Sequence, residues 1–365
     1  MKNRMIKLIK PYISFGEVEG EFKEIFDSGM LTKGKYSLEF PQKMCEYTGA
    51  KFSFNATSAT TALAVCLEIL EIGAGDEVIV SDFSFPATVN VVEACGATPV
   101  FADVSLDTYN MLSEELERKI TPKTKAVIFV CALGNPSGLD RVSEICKAYH
   151  IPLIDDAACA IGSSVGDIKV GNLTDMECFS FHPRKLLTAG EGGAITTNNE
   201  VYAEKLNVKL AHGAVIEKGK MDFVSYGYNY RLPELQCLML LKQLEKLDRI
   251  VEERKSIQRE MMEQLEPLGY KVQRCSENAI HNIQSLVFSV PKEVDRDNLI
   301  SYLKENEVES TIGTYCLSNC TYYKNKYRNV QPNALYLEQN TITLPCYEGV
   351  DTEKISKIIR SYPCG

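Results

Sequence analysis

Short apolar segments alternate with helix-like segments through the middle of the 365-residue chain. Segments rich in Val, Ile and Phe are typical of strands buried on both faces, and the stretches between them are long enough for crossover helices. The pattern predicts an α/β fold with a mostly parallel, mixed sheet flanked by helices. The predicted strands are residues 77–80, 99–104, 126–130, 152–154, 178–181 and 194–197.

A different pattern begins near residue 234. Residues 234–262 carry apolar side chains at spacings of three and four with charges between them, which predicts one long amphipathic helix. A strand-like segment (284–290), a helix-like segment (295–306) and a stretch rich in Tyr and Asn (315–340) follow. We therefore expect a large domain over residues 1–250, including the N-terminal segment, and a small C-terminal α+β domain over residues 251–365.

The net charge of −9 and the isoelectric point near 5.2 argue against a nucleic-acid or anionic-membrane surface. The basic N-terminus lacks the apolar run of a signal peptide, and no later stretch is long and apolar enough to span a bilayer. These features favour a cytoplasmic protein that acts on small molecules.

Thirteen cysteines are spread along the chain from Cys45 to Cys364 without a CxxC pair. This spacing favours free, buried thiols in a reducing compartment over a disulfide framework. Cys316 and Cys320 are four residues apart and could share a helix face, but no histidine lies near them in sequence. We expect no structural metal.

Two segments suggest an anion site and a carboxylate site. Residues 55–63 run from small hydroxyl side chains into an apolar helix, and a helix N-terminus with hydroxyls can bind phosphate, although Ser58 could equally serve only as a helix cap. In LIDDAACAIG (153–162) a strand delivers Asp155 and Asp156 at its C-terminal end, where ligands bind in such sheets. Consecutive strand residues face opposite ways, so at most one carboxylate can face the site; a helix N-cap is the alternative role.

Two further segments supply an amine and an aromatic ring. In FSFHPRKLLTAGEGGAITTNN (179–199), Lys185 lies between a strand and a glycine-rich turn. A partly desolvated lysine amine can attack a carbonyl, and glycine permits close approach of the backbone; an ordinary surface lysine is the alternative. Phe85, in DFSFPAT (82–88), could pack in the core or lie flat against a planar ring, where stacking adds about 0.5–1.5 kcal/mol.

A lysine amine, a strand-end carboxylate, a phosphate-binding helix start and a stacking ring together match the requirements of pyridoxal phosphate. The sequence resembles the DegT/DnrJ/EryC1/StrS sugar aminotransferases, a family of the fold-type I pyridoxal phosphate enzymes, over most of its length. The resemblance is carried by six ordered blocks: GAGDEVIVSDFSFPATVN, GATPVFADVSLDTYN, ITPKTKAVIFVCALGNP, PLIDDAACAIGS, CFSFHPRKLLTAGEGGAITTNN and YGYNYRLPELQCLMLLKQLEKLD.

The resemblance implies a role for each matching residue. Lys185 would hold the cofactor as an internal aldimine and move the proton during catalysis, Asp156 would pair with the pyridine nitrogen, and Phe85 would lie beneath the ring. The remaining cofactor contacts would come from Ser58, Ala59 through its backbone, Thr60, Ser180, Cys159, and Asn229 of the neighbouring subunit. The resemblance thus implies a homodimer with shared active sites.

Two positions depart from the family pattern. Ala59 replaces the usual glycine of Ser-Gly-Thr, which places a methyl group beside the phosphate but leaves a backbone N–H available. Cys159 replaces the usual glutamine, a residue that approaches the ring hydroxyl and the substrate; cysteine is shorter and a weaker hydrogen-bonding group.

The implied activity is transfer of an amino group from an amino acid, with L-glutamate as the expected donor, to a keto group of a nucleotide-linked deoxysugar. Cys159 and the unusual segment 311–327 keep a small phosphorylated ketone or cyclitol open as the acceptor. A dehydratase is disfavoured, because relatives that eliminate water carry histidine in place of the lysine. A non-catalytic homologue is disfavoured because Lys185, Asp156, Ser180 and Asn229 are all present.

Overall fold

The computed structural model describes residues 5–363. The helices are α1 (Glu19–Ser28), α2 (Lys35–Thr48), α3 (Ala59–Ile69), α4 (Ala87–Ala94), α5 (Ser113–Lys119), α6 (Leu139–Tyr149), α7 (Glu200–Lys209), α8 (Glu234–Leu244), α9 (Leu247–Leu265), α10 (Arg296–Glu305), α11 (Thr321–Tyr327), α12 (Pro332–Asn340) and α13 (Thr352–Arg360). The strands are β1 (Phe52–Ala56), β2 (Glu77–Ser81), β3 (Phe83–Ser84), β4 (Thr98–Ala102), β5 (Thr124–Val130), β6 (Leu153–Asp156), β7 (Ser164–Val165), β8 (Ile168–Lys169), β9 (Met176–Ser180), β10 (Gly193–Thr197), β11 (Ala214–Glu217), β12 (Lys220–Phe223), β13 (Lys271–Val272), β14 (Ala279–Ile280), β15 (Leu286–Ser289), β16 (Thr311–Ile312), β17 (Tyr315–Cys316) and β18 (Thr341–Leu344).

A seven-stranded sheet with the order β1-β10-β9-β6-β5-β2-β4 forms the centre of the molecule. The strands from β9 to β4 are parallel, whereas β10 runs antiparallel to both of its neighbours. Each of the six predicted strands is present with slightly different ends. Sequence analysis missed the edge strand β1, a short segment that directly precedes the hydroxyl-rich turn.

Apolar residues of the central strands are buried on both faces of the sheet. In β2 and β5, Ile79 and Val127 enter one core with α2, α6 and α8, whereas Val78 and Ile128 enter the other with α3, α4 and α7. This alternation follows from the two-residue period of a strand. Because helices cover both faces, the strands read as continuous apolar runs.

The long helix predicted over residues 234–262 is instead two helices. Helix α8 ends at Leu244 and α9 begins at Leu247, with Lys246 outside helical geometry. Beyond the break, α9 first packs Leu247 and Ile250 against the large core and then packs Ile257 and Met261 into a separate core. The apolar residues of α9 thus contribute to two cores.

The separate core is built on a four-stranded antiparallel sheet of order β13-β15-β18-β16, covered by α9, α10 and α13. Phe288, Leu299, Ile342 and Ile355 are fully buried there. Since α9 contributes to both cores, a domain division at residue 250 stays a prediction.

Part of the C-terminal chain returns to the central sheet. Strand β17 pairs with β3, so that Tyr315 lies opposite Ser84 and Cys316 lies opposite Phe83. The segment between β16 and β18 of the small sheet thus reaches the chain that directly follows β2. Among residues 5–363, none of the helices has the length and apolar character needed to cross a membrane.

Candidate active site

The predicted site segments meet at one edge of the central sheet. Strands β1, β6 and β9 end at this edge, and β10 begins there because it runs the opposite way. Gly193, the first residue of β10, lies opposite both Ala56 and Ser180. The topology therefore brings together chain segments that are far apart in sequence.

The helix start at Ser58 packs directly on Gly193. A Cβ atom at Gly193 would lie 2.4 Å from the carbonyl carbon of Ser58 and 2.8 Å from the amide nitrogen of Ala59. Only glycine allows strand and helix to approach this closely. Ser58, Ala59, Thr60 and Ser180 are consequently grouped around one helix N-terminus, as binding of a phosphate requires.

Ser58 also fills the structural role that sequence analysis left open. It is the N-cap of α3, and its hydroxyl accepts a hydrogen bond from the Thr61 amide at 3.1 Å. Thr60 is exposed in the first turn. The cap therefore fixes the first turn of α3 and leaves Thr60 open to solvent.

Lys185 is half-buried in the loop between β9 and β10. Its amide donates to the carbonyl of His182 at 2.8 Å, which closes the His-Pro-Arg-Lys turn. Its Nζ atom lies 3.0 Å from Cys159 Sγ, within hydrogen-bonding distance. The amine therefore points at the turn after β6 and is not an ordinary solvated surface lysine.

Asp156 is buried at the end of β6, on the same side as Lys185. Thr88 Oγ1 donates to its Oδ2 at 2.7 Å, and the Ala158 amide donates to its Oδ1 at 3.3 Å. Burial raises the pKa of this carboxyl group, while the bond from Thr88 and the nearby Lys185 charge act in the opposite direction. A cationic N–H group placed beside Asp156 would favour its ionised form.

Asp155 faces the other side of the sheet. The Cys131 thiol donates to its Oδ2 at 3.1 Å, and Oδ1 has no hydrogen-bond partner among the described residues. Burial, followed by the charge of Glu177 on β9, raises the pKa of Asp155 well above its ordinary value. Asp155 is thus a buried carboxyl group with a raised pKa that is directed away from Lys185.

Phe85 follows β3 and is 64% exposed, so the alternative of a core residue is wrong. Its ring meets the ring of Tyr315 edge-on, with centroids 6.2 Å apart. The Thr88 amide donates to the Phe85 carbonyl at 3.2 Å, which places this ring one helical turn from the partner of Asp156. Sequence analysis quoted the block that contains Thr88 but assigned this residue no role.

Asn229 is not part of this group. It is exposed and pairs through an isolated bridge with Ala211, in a loop where the rings of Tyr228 and Tyr230 stack 4.7 Å apart.

The cysteine pattern is only partly as expected. The twelve cysteines within residues 5–363 are free, but Cys275 is exposed. Cys316 and Cys320 do not share a helix face, because Cys316 ends β17 and Cys320 caps α11. Cys364 lies outside the described residues.

These groups fit pyridoxal phosphate. Four groups lie along one sheet edge: an amine, a buried carboxylate, an exposed aromatic ring, and a helix N-terminus for which Gly193 leaves room. Each meets one need of the cofactor: a carbonyl partner, a partner for the ring nitrogen, a stacking surface and a phosphate cup. Fold and site together define the class of pyridoxal-phosphate-dependent enzymes.

The chain belongs to the DegT/DnrJ/EryC1/StrS aminotransferase family, which it matches over residues 16–362. It is 30% identical to the GDP-perosamine synthase of Vibrio cholerae over 97% of both chains. The fold is similar to that of a putative sugar aminotransferase, Spr1654 from Streptococcus pneumoniae, in its PMP form, with a TM-score of 0.90 and 27% identity over 98% of this chain and 96% of that one. It is also similar to Helicobacter pylori PseC, an aminotransferase involved in the biosynthesis of pseudoaminic acid, with a TM-score of 0.90 and 25% identity over 98% of each chain.

The predicted fold, enzyme class and cofactor are confirmed by these relatives. The protein is a fold-type I aminotransferase that uses pyridoxal phosphate.

Proposed function

We propose that this enzyme transfers an amino group from L-glutamate to a keto group of a nucleotide-linked deoxysugar, with Lys185 as the catalytic amine. The observation that carries the proposal is the position of the Lys185 amine. Its Nζ atom lies within hydrogen-bonding distance of Cys159 Sγ, and its charge acts on the carboxyl group of Asp156. The printed names of the relatives support a sugar acceptor: one is a synthase of GDP-perosamine, and another acts in the biosynthesis of pseudoaminic acid.

Each side chain at this sheet edge has a separate role in the proposed reaction. Bound pyridoxal phosphate supplies an electrophilic carbon for the amino group and a ring that takes up electrons. Lys185 would hold the cofactor through its side-chain amine, and its Nζ would take up and release the proton that moves during the transfer. Asp156, oriented by Thr88, keeps the ring nitrogen protonated. Phe85 covers the ring, while Ser58, Ala59, Thr60 and Ser180 hold the phosphate.

A second acceptor class, a small phosphorylated ketone or cyclitol, is favoured by the surroundings of Cys159. A thiol in place of an amide leaves different space and weaker hydrogen bonding near Lys185. The ring of Tyr315, from the unusual segment 311–327, also lies against the ring of Phe85.

We further propose a homodimer in which Asn229 reaches the phosphate in the partner subunit. Asn229 is exposed, and the nearby β11–β12 hairpin presents Ile216, Met221 and Phe223 to solvent. Ile216 lies opposite Met221, and Phe223 lies two residues along the same strand, so these side chains share one apolar face. Contiguous exposed apolar side chains mark interaction surfaces. The free thiols support a reducing cytoplasm as the location.

A half-reaction screen tests the function. The enzyme is first converted to its amino form with L-glutamate, and recovery of the cofactor's visible absorbance is then followed with a panel of keto-sugar nucleotides and small keto-phosphates. We expect recovery with a keto-sugar nucleotide and a loss of several orders of magnitude in Lys185→Ala. Recovery with keto-phosphates alone would establish the second acceptor class. Near-normal transfer by Lys185→Ala would refute the assignment of the amine.

A further inference from the structure

One short segment of the chain holds both partners of the contact between Lys185 and Cys159. Asn282 Nδ2 donates to the Cys159 carbonyl at 2.9 Å and to the Ile161 carbonyl at 2.7 Å. These bonds fix the turn that follows Asp156. Asn282 is fully buried, so water does not compete for them.

Gln284, two residues later, brackets Lys185. Its Oε1 accepts from the Leu186 amide at 2.9 Å, and its Nε2 donates to the Arg184 carbonyl at 2.6 Å. The peptide groups before and after Lys185 are thereby fixed by a single buried side chain. Only the torsions of the lysine side chain itself remain free to place Nζ.

The segment is itself held firmly. The Gln284 amide donates to Asn282 Oδ1 at 2.8 Å, and the Asn282 amide donates to Ser163 Oγ at 3.1 Å. From the opposite side, the buried Arg254 of α9 donates to the carbonyls of Ile283 at 2.7 Å and of Gln284 at 2.8 Å. The backbone that carries the Asn282 and Gln284 side chains is therefore held in place by hydrogen bonds on several sides.

Space for this arrangement depends on Gly134. A Cβ atom there would lie 2.0 Å from Asn282 Oδ1 and 2.8 Å from the Cys159 carbonyl oxygen, and the residue has a positive φ of 103°. Any side chain at position 134 would displace Asn282 from the Cys159 turn.

We propose that Asn282 and Gln284 are positioning residues that set the placement of the Lys185 amine against Cys159 and Asp156. The inference rests on the proposed role of Lys185 as the cofactor-binding amine, and it does not depend on the acceptor. It assigns a function in the site to a segment that lies between the two cores and contributes no group to the chemistry.

Gln243 provides a matched control. It is a fully buried glutamine whose Oε1 accepts from the Thr188 amide at 3.1 Å and whose Nε2 donates to the Thr188 carbonyl at 2.7 Å. Gln243 thus holds the same loop by the same kind of bonds, at Thr188 instead of at the peptides that flank Lys185. Loss of Gln284 removes two hydrogen bonds to the backbone. Loss of Gln243 removes the two to Thr188 and a third, from Nε2 to the Met239 carbonyl at 2.7 Å.

The experiment compares Gln284→Leu with Gln243→Leu as purified apoenzymes. The measurements are the thermal unfolding midpoint, the rate at which added pyridoxal phosphate becomes attached to the enzyme, and the pH midpoint of the visible absorbance once it is attached. We expect Gln284→Leu to slow attachment roughly tenfold or more and to move the pH midpoint, because small displacements of a reacting group cost rate steeply. Gln243→Leu should lower the unfolding midpoint similarly and leave the other two values near those of the wild type.

Equal values for the two variants, or wild-type values in Gln284→Leu, would overturn the proposal. If Gln284→Leu does not fold, Gln284→Met is compared with Gln243→Met, because methionine has nearly the length of glutamine but can make neither amide hydrogen bond. The same attachment-rate and pH criteria then apply. Borohydride reduction and peptide mapping of the wild-type enzyme separate this test from the proposed function: attachment to a lysine other than Lys185 would refute the latter directly.

Discussion

The adjacent carboxyl groups of Asp155 and Asp156 have different surroundings because they face opposite sides of the sheet. Asp155 and Asp156 are both buried at the end of β6, yet one faces Glu177 and the Cys131 thiol while the other faces Thr88 and Lys185. Burial raises the pKa of both, but only Asp156 has a cation and a hydroxyl donor that favour its ionised form. The structure therefore gives a physical reason to select Asp156 as the partner of the ring nitrogen.

The two residues should respond differently to the same substitution. We expect Asp156→Asn to retain bound cofactor but to slow the chemical step by roughly a hundredfold or more, because an amide cannot hold the ring nitrogen protonated. Asp155→Asn should be milder, because Asp155 faces Cys131 on the other side of the sheet from Lys185. Single-turnover rates measure both effects. If Asp155→Asn were the more severe, the wrong carboxylate would have been chosen.

At the scale of elements, the phosphate end of the site depends on the fit between β10 and α3. The strand begins with Gly193 against the Ser58–Ala59 peptide, and a methyl group there would meet backbone atoms that cannot rotate away. The antiparallel direction of β10 is what brings its first residue to this edge.

We expect Gly193→Ala to weaken the affinity for pyridoxal phosphate markedly and to lower the thermal unfolding midpoint, because strand and helix must separate. Gly20→Ala in α1 is the control, since a Cβ atom there meets nothing within 4 Å. Cofactor titration followed by absorbance measures the first effect. A Gly193→Ala enzyme with wild-type affinity would show that the close packing does not shape the phosphate cup.

A second element contact fastens the C-terminal chain beside Phe85. The buried Asp82, directly after β2, accepts from the Ser318 amide at 2.7 Å, the Ser318 hydroxyl at 2.6 Å and the Cys316 thiol at 3.2 Å. Burial is the largest effect on the pKa of Asp82, and the pKa is raised to about 7.

This raised pKa makes stability depend on pH. The folded protein binds the Asp82 proton more tightly than the unfolded chain does, so the contribution of Asp82 is complete below pH 3.8 and is lost as pH rises through about 7. The shift corresponds to at most about 4 kcal/mol. The free energy of unfolding of Asp82→Asn, measured with urea, should therefore rise relative to that of the wild type as the pH increases from 5 to 8. Parallel pH profiles for the two proteins would contradict the prediction.

Local sequence patterns predicted most of the helices and strands and the main site residues. They did not predict the hydrogen bonds that hold the site in place. The strands were recognisable because Val, Ile and Phe cluster where both faces are buried, whereas β1 alternates apolar residues with Ser53 and Asn55 and runs straight into the turn at Ser58. The break at Lys246 was hidden because the apolar spacing continues across it. Lys185 and Asp156 stand beside distinctive residues, but the bonds of Asn282, Gln284 and Asp82 join segments whose approach only the folded chain reveals.

At the scale of the whole molecule, α9 contributes to both cores and its Arg254 also holds the segment behind Lys185. Substitutions in the small core can therefore affect the site through α9 and the hydrogen bonds of Arg254 to Ile283 and Gln284. The proposed dimer would add a second long-range connection, because Asn229 lies outside the group of site residues within its own chain.

Mixing inactive variants tests whether sites are shared. Lys185→Ala and an inactivating Asn229 substitution are combined under conditions in which subunit exchange is demonstrated. If Asn229 acts across a two-fold interface, some heterodimers contain one site with both wild-type residues, and activity should return in part. Each variant alone is the control. Activity no greater than the sum of the two parents would place Asn229 in its own subunit's site.

The pairing of β1 also has a consequence for the order of folding. Its neighbour in the sheet is β10, and Phe52 lies opposite Thr197. Bringing these strands together closes a loop of about 140 residues, an entropic cost that the shorter parallel crossovers between β2, β4, β5 and β6 do not carry. During synthesis, the turn at Ser58 must wait until β10 has left the ribosome before it can dock. The phosphate cup thus forms after the strand that bears Asp156 has been made, and the cofactor can stabilise only an almost complete sheet.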